Sequence, residues 1–190
     1  MGEPELKRMT AEEFLDWQRS QDRNYELVDG LPVLPLKAMT GASHAHDRVT
    51  VNLIRELATQ LRRKPCRPTT DDIALKIPAG NVRRPDVLVE CGPTDPRGTA
   101  AVEPRMAIEV LSPSTMNFDR VRKLDEYKTV PSLAYILLVD TEKPQLSLHV
   151  RRGDLWTVEH HETLDAVLDL PGIGCRLSAE DIFEGLPFAA

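Results

Sequence analysis

Two acids stand where the chain is otherwise apolar. Asp86 opens the run PDVLVE and Glu109 lies inside MAIEVLS, both runs that read as buried strands. Alternation along the second run puts Glu109 on the side of Ala107 and Leu111, opposite Ile108 and Val110. A carboxylate among buried apolar neighbours is costly and tends to keep its proton, and two acids on adjacent strands repel each other. A shared divalent cation relieves both problems, because Mg²⁺ accepts carboxylate oxygens while retaining several waters. Asp86, Glu109 and the main-chain carbonyl of Val110 would make an open site for Mg²⁺, with Mn²⁺ as an alternative ion.

A polar stripe follows the second acid. Asp119, Lys123 and Tyr127 recur at intervals of four, the spacing of one helix face. An acid four residues before a lysine stabilises a helix surface by only ~0.2–0.5 kcal/mol, and a tyrosine ring also serves to cover a core. Spacing alone does not separate that bland reading from a catalytic one.

The surrounding pattern describes the elements that would position these groups. MTAEEFLDWQRSQ reads as a short helix, with Thr10 as N-cap and Glu13 completing a capping box. NYELVDGLPVLPL reads as a hairpin turning at Asp29-Gly30, its second strand kept near a sheet edge by Pro32 and Pro35. Residues 43–63 follow a helical period, with Val49, Leu53, Ile54, Leu57 and Leu61 on one face and Pro65 and Pro68 beyond its end. DDIALKIPAG and PDVLVECG read as strands, residues 92–104 as a loop and MAIEVLS as a strand. A helix over 117–128 and the buried strand LAYILLVD come next, joined by a right-handed crossover. LSLHVRRGDLWTVEHH is a hairpin turning at Gly153-Asp154, and the remainder reads as a short strand and a helical turn. The prediction is one α/β domain over 1–190.

Composition narrows the class. The chain has 190 residues, 41% hydrophobic and 28% charged, which is ordinary globular usage. No apolar run approaches the roughly 20 residues that span a bilayer, and MGEPELKRMT does not read as a secretory signal. Cys66, Cys91 and Cys175 are odd in number and widely spaced, giving neither a disulfide framework nor a zinc motif. The expectation is a reduced, cytoplasmic protein. The net charge of −6 is opposite in sign to that of a non-specific nucleic-acid binder, although local basic patches and a bound cation override overall charge.

RRPDVLVE, then IEVLSPST, then D-x-x-x-K-x-x-x-Y resembles the PD-(D/E)xK nuclease superfamily. More narrowly, the chain resembles the bacterial "Uma-two" family of endonucleases, long classed as a domain of unknown function. The likeness runs from about Met9 to Ile182 and takes in MTAEEFLDW, YELVDG, the H-x-x-V-x-x-N-L of His46 to Leu53, and the strand ending in Val139-Asp140. It implies a restriction-endonuclease-like fold: a mixed central sheet flanked by helices, with an N-terminal helix plus hairpin and a C-terminal hairpin. It also implies metal-dependent cleavage of phosphodiester bonds, with DNA as substrate, RNA not excluded, and a homodimer. Asp86 and Glu109 match the two acids of the motif as metal ligands. Where the parent pattern has a lysine two residues after the second acid, this chain has Leu111. The narrower family places its lysine on the following helix, which makes Lys123 the replacement.

The resemblance also marks supporting positions. Glu26 in YELVDG is an acid that joins the metal site, holds a ligating water, or is an ordinary strand glutamate. His46 binds phosphate, supports the site or is structural; Arg84 holds a phosphate or pairs with an acid. Asp119 and Tyr127 support Lys123. His149, His160 and His161 read as surface or packing residues, and His44 has no counterpart. Two other functions compete: a non-catalytic nucleic-acid- or protein-binding module, favoured by Leu111 and the acidic charge, and a metal-free hydrolase using Asp86 and Glu109 as acid and base. With aromatics at only 5%, nothing suggests the sugar-stacking surface that the latter would need.

Overall fold

The computed structural model describes residues 8–35, 41, 43–111 and 118–189, with the side chains of 118–120 excepted. The capping box forms as predicted: Thr10 accepts from the Glu13 N–H, Glu13 returns to the Thr10 N–H, and helix α1 runs Ala11–Gln18. Strands β1 (Glu26–Val28) and β2 (Leu31–Val33) pair through the Asp29-Gly30 turn, both residues taking positive φ (52° and 80°). That sign at both central positions is what a tight hairpin requires. Ser43 caps helix α2 (His44–Leu61), whose buried face carries Val49, Leu53, Leu57 and Leu61.

Strands β3 (Cys66–Thr70), β4 (Leu75–Lys76), β5 (Val82–Arg83), β6 (Val87–Cys91) and β7 (Pro104–Leu111) follow. Helix α3 (Phe118–Thr129) leads to β8 (Tyr135–Asp140), and then come the hairpin β9 (Leu146–Arg152) and β10 (Leu155–His161), the hairpin β11 (Val167–Leu170) and β12 (Cys175–Ser178), and the short helix α4 (Ala179–Ile182). Six strands form a mixed sheet in the order β10-β9-β8-β7-β6-β3, parallel only between β7 and β8, the pair that α3 connects. A four-stranded sheet has the order β2-β1-β5-β4.

Alternation divides the large sheet into two cores. Val87, Val89, Ile108 and Val110 pack with α2, α4 and the β11–β12 hairpin. Leu88, Ala107, Leu111, Ile136 and Leu138 meet α3 through Tyr127 and Leu124. A third cluster joins α1 to the small sheet through Phe14, Leu27, Ala74 and Val82. The chain crosses from small sheet to large within RRPD, since Val82 and Arg83 belong to β5 while β6 begins at Val87.

Two expectations need correction, and two elements went unread: the edge strand β3, and one strand of the β11–β12 hairpin where a single strand was expected. DDIALKIPAG supplies only the two residues of β4, because the chain turns at once around Pro78 and Gly80 (φ 97°), with the Ile77 N–H bonded to the Asn81 carbonyl. The stretch after α2 is a strand despite Pro68, which its place at the edge of the large sheet permits. Cys66 and Cys91 are directly opposed on β3 and β6 and form a disulfide, leaving Cys175 free and buried. Reading the three thiols as reduced missed this, since the pairing depends on a strand that Pro68 hid. Among the described residues, no helix is long and apolar enough to cross a membrane.

Asn52 ties the two ends of this architecture. Buried on α2, it donates from Nδ2 to the carbonyls of Ile182 (3.1 Å) and Glu184 (2.9 Å). Asn52→Ala removes the donor from both and is expected to lower unfolding free energy by about 1–3 kcal/mol, measured as a shift in urea midpoint with unchanged m-value.

Candidate active site

The antiparallel register of β6 and β7 pairs Val87 with Ile108. One step further, Asp86 arrives beside Glu109 and Val110, just before β6 begins. Its Oδ2 accepts the Val110 N–H at 2.8 Å, continuing the ladder with a side chain. Its Oδ1 lies 3.3 Å from Nε2 of His46, near the start of α2. Asp86 and His46 are both buried. In a strand the N–H and C=O of one residue point to the same side, so the Val110 carbonyl is aimed toward Asp86 as well.

Glu109 looks toward α3. Its Oε1 accepts the Tyr127 hydroxyl at 2.5 Å and lies 3.8 Å from the Lys123 ammonium. Tyr127 is fully buried, and burial, reinforced by the Glu109 carboxylate, pushes its phenol well above the usual range. It is therefore a hydrogen-bond donor to Glu109. The expected stripe is real for Lys123 and Tyr127, which meet at the same oxygen. Asp119 belongs to α3, and its side chain lies outside the described residues, as do Ser112 to Thr115 of IEVLSPST.

Lys123 also reaches β1, with Nζ 2.9 Å from Oε1 of Glu26. The other oxygen of Glu26 pairs with Arg83 Nη1 at 2.9 Å, and the Arg84 N–H bonds to Oε1 at 3.2 Å. Burial drives the Glu26 carboxyl up, but Lys123 and Arg83 outweigh it and leave it below the ordinary value of 4.5. Arg83 turns its Nε and Nη2 to Glu126, at 2.6 and 3.1 Å. Glu126 also accepts from Asn81 at 2.8 Å and Arg122 at 3.0 Å, and Arg122 reaches Asp29 in the hairpin turn. Burial opposes the charge on Glu126 too, and Arg83 more than offsets it.

Arg84 takes the other direction. Its guanidinium donates to the carbonyls of Tyr25 (2.8 Å), Asp71 (2.8 Å) and Asp72 (2.9 Å), and it is 2% exposed. These bonds bridge main-chain segments rather than pairing it with an acid side chain. Reading the sequence missed Arg83, Glu126 and Asn81. A signal existed in Arg122 and Glu126, four apart on one helix, but nothing local joined them to RRPD.

These features carry a family resemblance across the chain. A family model named Uma2, described as "Putative restriction endonuclease", matches residues 11–180. The chain belongs to the Uma2 family. Among its relatives are two uncharacterized proteins of Synechocystis sp. strain PCC 6803. One, slr1290, is 31% identical over 184 residues, covering 95% of this chain and 94% of that protein. The other, sll1609, is 33% identical over 152 residues, covering 78% and 84%. A crystal structure from Anabaena variabilis ATCC 29413, described as a putative nuclease belonging to DUF820, superimposes with a TM-score of 0.72. It is 18% identical and covers 94% of this chain and 99% of its own, which establishes the shared nuclease-like fold.

The donor chemistry of this Uma2 chain suits a hard cation. Among the described residues no group of three or more His, Cys, Asp or Glu side chains is placed to hold a metal ion. Mg²⁺ does not need one: it binds through one or two carboxylates and completes its shell with waters and substrate phosphate oxygens. Asp86, Glu109 and the Val110 carbonyl would supply an all-oxygen set of that kind.

Arg83 lies between the buried Glu26 and the half-buried Glu126, and an apolar replacement removes the guanidinium from both. Arg83→Met is expected to cost about 3–5 kcal/mol in chemical unfolding. Because the folded-state values of Glu26 and Glu126 lie below the ordinary 4.5, their stabilisation is full above that pH and is lost as pH falls through the depressed values. Acid titration of stability should therefore fall below about pH 4.5, and Glu26→Gln should flatten that fall.

Proposed function

We propose that this protein is an Mg²⁺-dependent endonuclease that hydrolyses phosphodiester bonds of DNA. The observation that carries the reading is the 3.8 Å approach of the Lys123 ammonium to Glu109, next to Asp86 in the strand register. On this reading a lysine from the helix takes the chemical role that Leu111 cannot fill. A binding module freed from catalysis would have no need to bring that lysine to the second acid.

Asp86, Glu109 and the Val110 carbonyl would hold the ion. When bound, it supplies polarisation of the phosphoryl oxygen and a water of lowered pKa. Tyr127 restrains one oxygen of Glu109, and the Val110 N–H and His46 fix Asp86, so both acids are oriented before substrate arrives. His46 is thus read as support for Asp86. The Lys123 ammonium orients the attacking water and offsets negative charge growing on the phosphorane. Two such sites, one for each strand, are the reason to expect a homodimer, by analogy with the fold. A cytoplasmic setting goes with a DNA substrate, and there the Cys66–Cys91 bond would be exposed to reduction.

Plasmid nicking tests the proposal. Cleavage is expected with Mg²⁺ or Mn²⁺ and not with EDTA, falling to background in Asp86→Ala and by about 10²–10⁴-fold in Lys123→Ala. Absence of metal-dependent cleavage, or equal cleavage by Asp86→Ala, overturns it.

A further inference from the structure

Glu26 is an acid beside the proposed metal site, yet its oxygens are turned to cations. Oε2 faces Arg83 at 2.9 Å, and Oε1 faces Lys123 at 2.9 Å as well as the Arg84 N–H. Two cationic neighbours repel a divalent ion and compete for the lone pairs it would use. Arg83 is itself held on its far side by Glu126, and is 1% exposed.

The position of the lysine explains why such a holder is needed. A lysine two residues after the second acid would share its sheet face by alternation, aimed by the strand itself. A lysine arriving from a helix has no such guide, and its flexible four-carbon stem carries about 2 kcal/mol of rotamer entropy. Something must fix the ammonium where the reaction needs it. We propose that Glu26, backed by Arg83, is a positioning residue that holds the Lys123 ammonium at Glu109 and is not a metal ligand. The catalytic side of this inference rests on the nuclease reading; the contact itself does not.

The experiment separates the two. In wild type at low temperature, the Lys123 ammonium should give a protected ¹H–¹⁵N signal, assigned by its absence from Lys123→Met. Glu26→Gln keeps the length but removes the charge and replaces one oxygen by an NH₂ donor that has to face Arg83 or Lys123, both donors, and is expected to lose that signal. Calorimetric binding of Mn²⁺ alone should stay within about 3-fold of wild type, less than the 10–100-fold loss typical when a ligand's supporting shell is removed. Single-turnover cleavage should fall about 10²-fold or more, with KM for DNA nearly unchanged. Should Glu26→Gln fold poorly, Arg83→Lys, which cannot span Glu26 and the two-pronged contact to Glu126 at once, should give a partial loss of both signal and rate, and an unchanged signal there overturns the inference.

Persistence of the Lys123 signal in Glu26→Gln, or loss of Mn²⁺ binding there with the fold intact, overturns the inference. If wild type cleaves nothing while the signal still depends on Glu26, the positioning contact stands and the nuclease reading falls.

Discussion

Arg83 is a cation that water cannot reach, set where two sheets and a helix meet. Removing a guanidinium from water is tolerable only if carboxylates replace the solvent on several sides, and Glu126 does so through two nitrogens and Glu26 through a third. Each partner comes from a different element: Glu26 from β1, Glu126 from α3. Satisfying one buried charge thereby fixes the small sheet against the helix that packs on the large one. Opposing effects settle the protonation of the group. Burial lowers the affinity of Arg83 for its proton, and the two carboxylates more than restore it, so it is a permanent charge.

That constraint reaches the candidate site through one further step. Glu26 has a second oxygen, and Lys123 meets it from the same helix that supplies Glu126. Lys123 and Glu126 are three residues apart on α3, neighbours on one helical face, and both engage the Arg83–Glu26 system. The crossover from β7 to the parallel strand β8 has to lay α3 over the face of the sheet that carries Glu109. Tyr127, one turn beyond Lys123, then finds Glu109 from that face. The polar stripe and the acid in the strand are thus two sides of one contact.

Much of this was legible in the sequence where a local rule governs. Thr10 with Glu13, Asp29 with Gly30, and the apolar face of α2 each follow from geometry within a few residues. That Asp86 meets the strand carrying Glu109 was also accessible, through the motif in which the two acids stand. Long-range choices were not. Nothing local shows that adjacent Arg83 and Arg84 diverge, one to carboxylates and the other to the carbonyls of Tyr25, Asp71 and Asp72. Nor do residues 66–70, rich in polar groups and carrying Pro68, announce an edge strand that brings Cys66 opposite Cys91. Those outcomes depend on which strands become neighbours.

The divergence of the two arginines explains how one short segment serves both stability and the site. β5 ends at Arg83, and the chain must leave the small sheet, pass Pro85 and enter β6 at Val87. Proline cannot donate a main-chain bond, so the crossing has no ladder of its own to hold it. Side chains take over that task at each step. Arg83 anchors to Glu26 and Glu126, Arg84 staples the carbonyls of neighbouring loops, and Asp86 replaces a ladder bond by accepting from Val110. Asp86 is held where that crossing enters the large sheet, by the Val110 N–H and His46. A segment fixed in this way can present a carboxylate rigidly while its backbone is irregular, which is the condition a preorganised catalytic acid has to meet.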